Sequence, residues 1–283
     1  MLSFDYYPEF GRMGDGATAR GPDSRRVLLR NLEFMRVRAL RLDVPLWMYI
    51  TVVDYPGATS HCCEDHSDLT ESQIRWQAYA GLVYGVRGII YFTYGPIDDG
   101  QGGKKPGVVT AAGKPAPHYW QAQRLNRALH NLGPTMMQLR STATLVMLTD
   151  ADPDWNGEPH KLFGAIDGCP LRDITEPDNS TQASLVAGLF ESTAGDNRTA
   201  AALFNYEHAS TAWVTLHFHQ AVDVSLVTEI DPRTGAEVPL EDAELGLPGM
   251  QIFFEAAGLH LLLFPAPTPT ARLIAQKTGG GTD

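Results

Sequence analysis

The chain has 283 residues, 43% of them hydrophobic and 19% charged, which is enough for one large globular domain or two smaller ones. Its 22 Lys and Arg against 33 Asp and Glu leave a formal charge of −11 with no basic block to offset it, so nucleic acid is not an expected partner. The longest apolar run, around Leu259 to Phe264, is strand-sized, so no membrane span is expected, and Cys62, Cys63 and Cys169 form no disulfide framework.

The chain opens on an aromatic pattern, Met1 to Pro8, with neither the basic nor the apolar region of a secretory signal, and as it stands reads as cytoplasmic. A strand beginning at the first residue leads to the expectation that residues are missing upstream, which leaves the compartment of the parent protein open.

Residues 1 to 140 alternate strand and helix patterns. Leu2 to Tyr7 predicts a strand, and Ser24 to Leu42 a helix with apolar positions at Val27, Leu28, Leu32, Met35 and Leu40. Pro45 opens a second strand running to Val53. Thr70 is the expected N-cap of a helix from Glu71 to Tyr84, Gly85 ends it, and Gly88 to Tyr94 is a third strand. A glycine-rich loop, Asp98 to Gly113, leads to a helix from about His118 to Leu132, with Gly133 and Pro134 as its expected stop. Near-continuous apolar strands alternating with helices predict parallel βα units.

From residue 141 the pattern changes to short strands separated by polar turns. They are Thr144 to Leu148, Leu185 to Glu191, Ala200 to Tyr206, Ala212 to Phe218, Val222 to Ile230, Met250 to Phe254 and Leu259 to Phe264, with Asp231 to Gly235 as a turn. The expected fold class is therefore α/β plus all-β: about three βα units over 1–140, an antiparallel β-sandwich over 141–267, and a disordered tail over 268–283. No internal repeat is found.

The segments Phe4-Asp-Tyr-Tyr-Pro8, Pro45-Leu-Trp-Met-Tyr49, Glu71 to Gly85 and Gly88-Ile-Ile-Tyr-Phe-Thr-Tyr94, in this order and followed by Asp231-Pro-Arg-Thr-Gly235, resemble (β/α)8-barrel glycoside hydrolases. The likeness is to the bacterial β-galactosidase-like members, over their last barrel strands and the small β-sandwich behind them. It implies a partial barrel whose three strands correspond to the sixth, seventh and eighth, with the active site at their carboxyl ends. A full barrel takes about 250 residues, so roughly the first five strands have no counterpart here, among them the one that carries the acid/base in related barrels. The glutamate nucleophile expected at the end of the seventh strand also has no clear equivalent, since that strand runs Ile50-Thr-Val-Val-Asp54.

Glycoside hydrolysis needs two carboxyl groups, one to protonate the leaving oxygen and one to meet the cationic centre. Asp5, Glu9 and Asp54 are the catalytic candidates at the strand-end face, with Asp5 first because it lies inside an aromatic strand, where a carboxylate needs a task or a partner. The alternative for Asp5 is a hydrogen bond that shapes the Tyr-Tyr-Pro turn. Sugars stack their C–H faces on aromatic rings and need polar partners for their hydroxyls. Tyr6, Tyr7, Tyr49, Tyr55, Tyr91, Tyr94 and Asp98 are the substrate-binding candidates, while Trp47, Trp76 and Tyr79 read as packing residues.

His61-Cys-Cys-Glu-Asp-His66 holds possible zinc ligands, but no second Cys/His group accompanies it, so no metal is assigned and the segment reads as a loop rimming the cleft. Gly100 to Lys105 does not match a phosphate loop, and no cofactor is expected. The expected function is a glycoside hydrolase acting on a β-linked sugar such as a β-galactoside. The other reading is a catalytically incomplete barrel fragment with a carbohydrate-binding or structural sandwich, active only when complemented. Unpaired strand edges lead to the expectation of a homo-oligomer.

Overall fold

A computed structural model describes residues 1–8, 24–53, 69–98, 103–148, 169–175, 184–219, 222–240 and 249–266. Helices and strands are mixed, and the chain divides into two compact units, Met1–His130 and Asn131–Asp283.

The first unit is built on β1 (Leu2–Asp5), α1 (Ser24–Leu42), β2 (Leu46–Thr51), α2 (Glu71–Val83) and β3 (Gly88–Phe92). The three strands lie side by side in chain order and pair in parallel, with Asp5 opposite Tyr49 and Tyr49 opposite Ile90. Two parallel neighbours joined through a helix form the βα units that the apolar strand pattern predicts. α2 starts on a complete capping box: the Thr70 hydroxyl accepts from the Gln73 amide at 3.3 Å and the Gln73 side chain accepts from the Thr70 amide at 2.9 Å. Beyond β3 come a two-residue ribbon, β4 (Ile97–Asp98) and β5 (Lys104–Lys105), and then α3 (Pro117–Met136).

α3 corrects one expectation, because it runs through Gly133 and Pro134 instead of stopping there. A proline in the last turn removes a single amide donor, and the turn is carried on by bonds from the Met137 amide to the Gly133 carbonyl (2.8 Å) and from Gln138 to Thr135 (2.9 Å).

The second unit contains β6 (Leu139–Met147), β7 (Leu171–Thr175), β8 (Leu185–Ser192), β9 (Thr199–Asn205), β10 (Ala212–Phe218), β11 (Thr228–Ile230), β12 (Glu237–Pro239), β13 (Met250–Phe254) and β14 (Leu259–Phe264). They form two antiparallel sheets, ordered β12-β11-β14-β9-β8-β6 and β13-β10-β7. One apolar cluster joins them, with Leu145, Leu185, Leu203, Leu262 and Phe264 from the first sheet and Leu171, Ile174, Val214, Leu216, Ile252 and Phe254 from the second. β8, β9 and β14 are apolar at nearly every position, and their residues are buried on both sheet faces.

The predicted strand Val222 to Ile230 is corrected to a short 3-10 turn, Val224–Leu226, followed by β11. The Asp223 carboxylate accepts from the Ser225 amide (3.1 Å) and hydroxyl (2.6 Å), which draws the chain out of the extended form. At one end of the sheets, buried Asn205 fastens two turns together. Its amide nitrogen donates to the carbonyls of Ser210 (2.9 Å) and Glu255 (3.0 Å), and its oxygen accepts from the Glu207 amide (3.0 Å).

Candidate functional site

Side chains on a strand alternate between faces, and residues paired in a parallel register share a face. In the first unit Leu46, Met48 and Ile50 are buried, and Gly81 of α2 approaches Met48 so closely that a Cβ there would collide with its sulfur. That is the helix-covered face. The opposite face, free of helices among the described residues, carries Ser3, Asp5, Trp47, Tyr49, Thr51, Ile90 and Phe92, which are aligned by the pairing of Ser3 with Trp47, Asp5 with Tyr49 and Thr51 with Phe92.

The face is shaped locally by three contacts. Trp47 lies over Gly88, where any Cβ would strike the indole, so a glycine at the start of β3 is what lets the ring lie flat on the sheet. Tyr7, two residues past β1, stacks on Phe92 at the end of β3 with ring centroids 5.3 Å apart and planes 26° from parallel. Because β2 separates β1 from β3, this pair bridges across the end of β2. Beneath it, the backbone of Thr51 has run past the end of β1 and is served instead by fully buried Gln77 of α2. The Thr51 amide donates to Gln77 Oε1 at 2.9 Å, and Gln77 Nε2 donates to the Thr51 carbonyl at 3.0 Å. A side-chain amide thus completes the ladder where no strand remains.

The candidates separate by this parity. Asp5 is exposed on the helix-free face with half-buried Tyr49 beside it, and Tyr7 reaches the same face through Phe92. Tyr91 belongs to the other face: its neighbour in register is Ile50, and its hydroxyl donates to Asn126 Oδ1 of α3 at 2.8 Å. Burial pushes the Tyr91 phenol well above its ordinary pKa, so it stays a neutral donor in that bond. Tyr6 is half-buried just after β1. Tyr94 is exposed beyond β3, where its carbonyl accepts from the Val109 amide at 2.9 Å, and Asp98 is exposed on β4 opposite Lys104. Glu9, Asp54, Tyr55 and the His61 to His66 segment lie outside the described residues. Trp76 and Tyr79 are buried in α2. Among the described residues no group of three or more His, Cys, Asp or Glu could hold a metal ion.

Sequence reasoning missed Gln77 and gave Trp47 to the core. Gln77 stands as one amide inside the otherwise apolar run Trp76 to Val83, and a lone amide in such a run signals a buried backbone partner. For Trp47, the signal is its parity with Tyr49 and not with Met48.

No protein-family model matches the sequence, and no curated protein matches it. Among solved structures the chain is similar to CelM2, a bifunctional glucanase-xylanase from a metagenome library, at 12% identity and a TM-score of 0.31. The match covers 94% of this chain and 44% of that one, so the chain spans less than half of that protein's length. A likeness of this size carries no argument about fold or activity.

Proposed function

We propose that the first unit contributes the carboxyl-terminal strand face of a glycoside hydrolase-type site for a β-linked sugar, with Asp5 as one of its two carboxyl groups. The observation that supports this reading is the row Asp5–Tyr49 on the helix-free face, flanked by Trp47 and by the Tyr7–Phe92 stack. A carboxylate beside flat aromatic rings is the chemistry that a sugar ring and its departing oxygen require. Glu9 and Asp54 are the candidates for the second carboxyl group, and Tyr6, Tyr55, Tyr94 and Asp98 for further sugar contacts. β-Galactosides are the first substrates to try.

A second reading is favoured by one observation: Asp5 is the only acid of β1, β2 and β3, and the outer edges of β1 and β3 have no strand partner among the described residues. On this reading the chain is catalytically incomplete until further strands are supplied, and its second unit binds carbohydrate or serves as structural support.

The test is hydrolysis of a panel of aryl β-glycosides by the purified chain and its Asp5→Asn variant. Loss of one acid or base group should lower turnover by about 10²–10⁴-fold with unchanged circular dichroism. Equal rates in the two proteins would remove Asp5 from the mechanism. A folded chain that releases no aglycone would favour the incomplete barrel.

A further inference from the structure

In the smaller sheet of the second unit, β13-β10-β7, Val214, Leu216, Ile252, Phe254 and Ile174 enter the apolar cluster, so the residues between them lie on the outer face. Two rows cross that face from strand to strand. In the first, Trp213 of β10 is opposite Phe253 of β13. The two side chains are 46% and 41% exposed, with ring centroids 5.1 Å apart and planes 55° from parallel. In the second, Thr215 lies between Gln251 of β13 and Thr175 of β7. This row is polar and uncharged, and Thr175 is bonded in turn to His217 Nε2 at 3.0 Å. Thr215 is only 1% exposed, yet its hydroxyl has no hydrogen-bond partner among the described residues. Its methyl group is closed in by Gly249, where an added Cβ would collide with it. A buried hydroxyl left without a bond is costly, and it marks a place where a partner is expected.

We propose that this face is a carbohydrate-binding site, in which a sugar ring lies on Trp213 and Phe253 and one of its hydroxyls bonds the Thr215 hydroxyl. The two rows together carry the choice of occupant. An apolar partner laid on the rings, a second copy of the chain included, would seal the Thr215 hydroxyl in without a bond. A charged ligand would find no opposite charge in the row Thr175–Thr215–Gln251. A sugar offers both a C–H face for aromatic rings and hydroxyls for polar side chains. The rows are two residues apart along β10, about 7 Å, which one sugar ring with its hydroxyls can span. In the free protein the Thr215 hydroxyl is closed over, so the bond forms with a rotamer change in a neighbour such as Gln251, a common adjustment on binding. The proposal gives a place to the carbohydrate-binding role left open in the incomplete-barrel reading, and it does not depend on Asp5 being catalytic.

Electrophoresis of the full chain through native gels containing soluble β-galactan, xylan or β-glucan tests it. Each variant is run in the parent and in an Asp5→Asn background, so that retardation is read apart from hydrolysis and loss of either reading leaves the other standing. The expected result is retardation of the parent by at least one polysaccharide. Trp213→Ala should weaken it about tenfold or more, as truncation of a central aromatic does. Thr215→Val keeps the shape and removes only the unbonded hydroxyl. It should weaken retardation about 2–10-fold while leaving the urea midpoint unchanged or higher, a split that a purely structural role would not give. Should Trp213→Ala fail to fold, Phe253→Ala and Thr215→Val still decide. Migration of the parent unaffected by every polysaccharide would overturn the proposal, as would equal retardation of the parent, Trp213→Ala and Thr215→Val. Retardation lost in Tyr49→Ala but kept in Trp213→Ala would also overturn it, giving the sugar to the strand face of the first unit. Self-association through Trp213 without retardation would make the ring pair a protein contact instead.

Discussion

The two units use strands in opposite ways. In the second unit β8, β9 and β14 are buried on both faces, and Leu203, Leu261 and Leu262 are fully inaccessible. In the first unit β2 buries Leu46, Met48 and Ile50 on the side that α2 approaches, while Asp5, Trp47, Tyr49 and Ile90 on the other side are exposed or half-buried. A strand whose neighbours fill both faces has no room for chemistry, whereas a strand supported from behind can present polar and aromatic groups in a fixed register. The difference locates support in one unit and opportunity in the other.

The sharpest test of that contrast is a pair of truncations. Leu203→Ala removes a side chain enclosed on all sides and should cost about 2–5 kcal/mol in urea unfolding. Tyr49→Ala, on the helix-free face, should cost about 1 kcal/mol or less. Equal losses would mean that the face carrying Asp5 is packed, and the contrast would fail.

Gln77→Leu comes next. It leaves the amide and carbonyl of Thr51 buried without partners, and should destabilise the first unit by about 1–3 kcal/mol. A variant as stable as the parent would mean that water reaches the end of β2.

The smallest effect is set by pH in the second unit. His260 Nε2 bonds the Phe253 carbonyl at 2.9 Å, and a carbonyl only accepts, so that nitrogen carries a proton. Nδ1 faces the Glu229 carboxylate at 2.8 Å, which favours a proton there as well. Burial opposes the charge, but the bond to Glu229, its field, the Phe253 carbonyl and the more distant Glu255 outweigh it, and the pKa of His260 is raised. A raised folded-state pKa contributes stability that is complete below the unfolded value of about 6.5 and is lost as pH rises through the folded value. Urea midpoints measured from pH 6 to pH 9 should therefore decline in the parent relative to His260→Gln. Parallel profiles would show that the ring is not charged in the folded state.

Much of the fold is legible in the sequence. α1 keeps its predicted bounds, as do β10, β13 and β14, because each has a clean apolar period and a polar or glycine boundary. β7 escaped because Leu171-Arg-Asp-Ile-Thr175 is short and carries two charges, and the ribbons β4, β5 and β12 owe their form to their partners and not to propensity. The helix-free face was harder to read. Tyr49 and Tyr91 look alike in the sequence, and only the register that pairs Tyr49 with Ile90 and Ile50 with Tyr91 puts the two rings on opposite sides.

Asn205 has a wider effect than its three bonds suggest. Its side chain holds the turn after β9 to the turn before β14, whose Ala257 amide also donates to the Glu207 carbonyl at 2.9 Å. Neither turn can open without releasing the other. The amides of Glu207 and Ala257, though they lie in surface connections, should exchange with solvent deuterium together and slowly, as one cooperative unit.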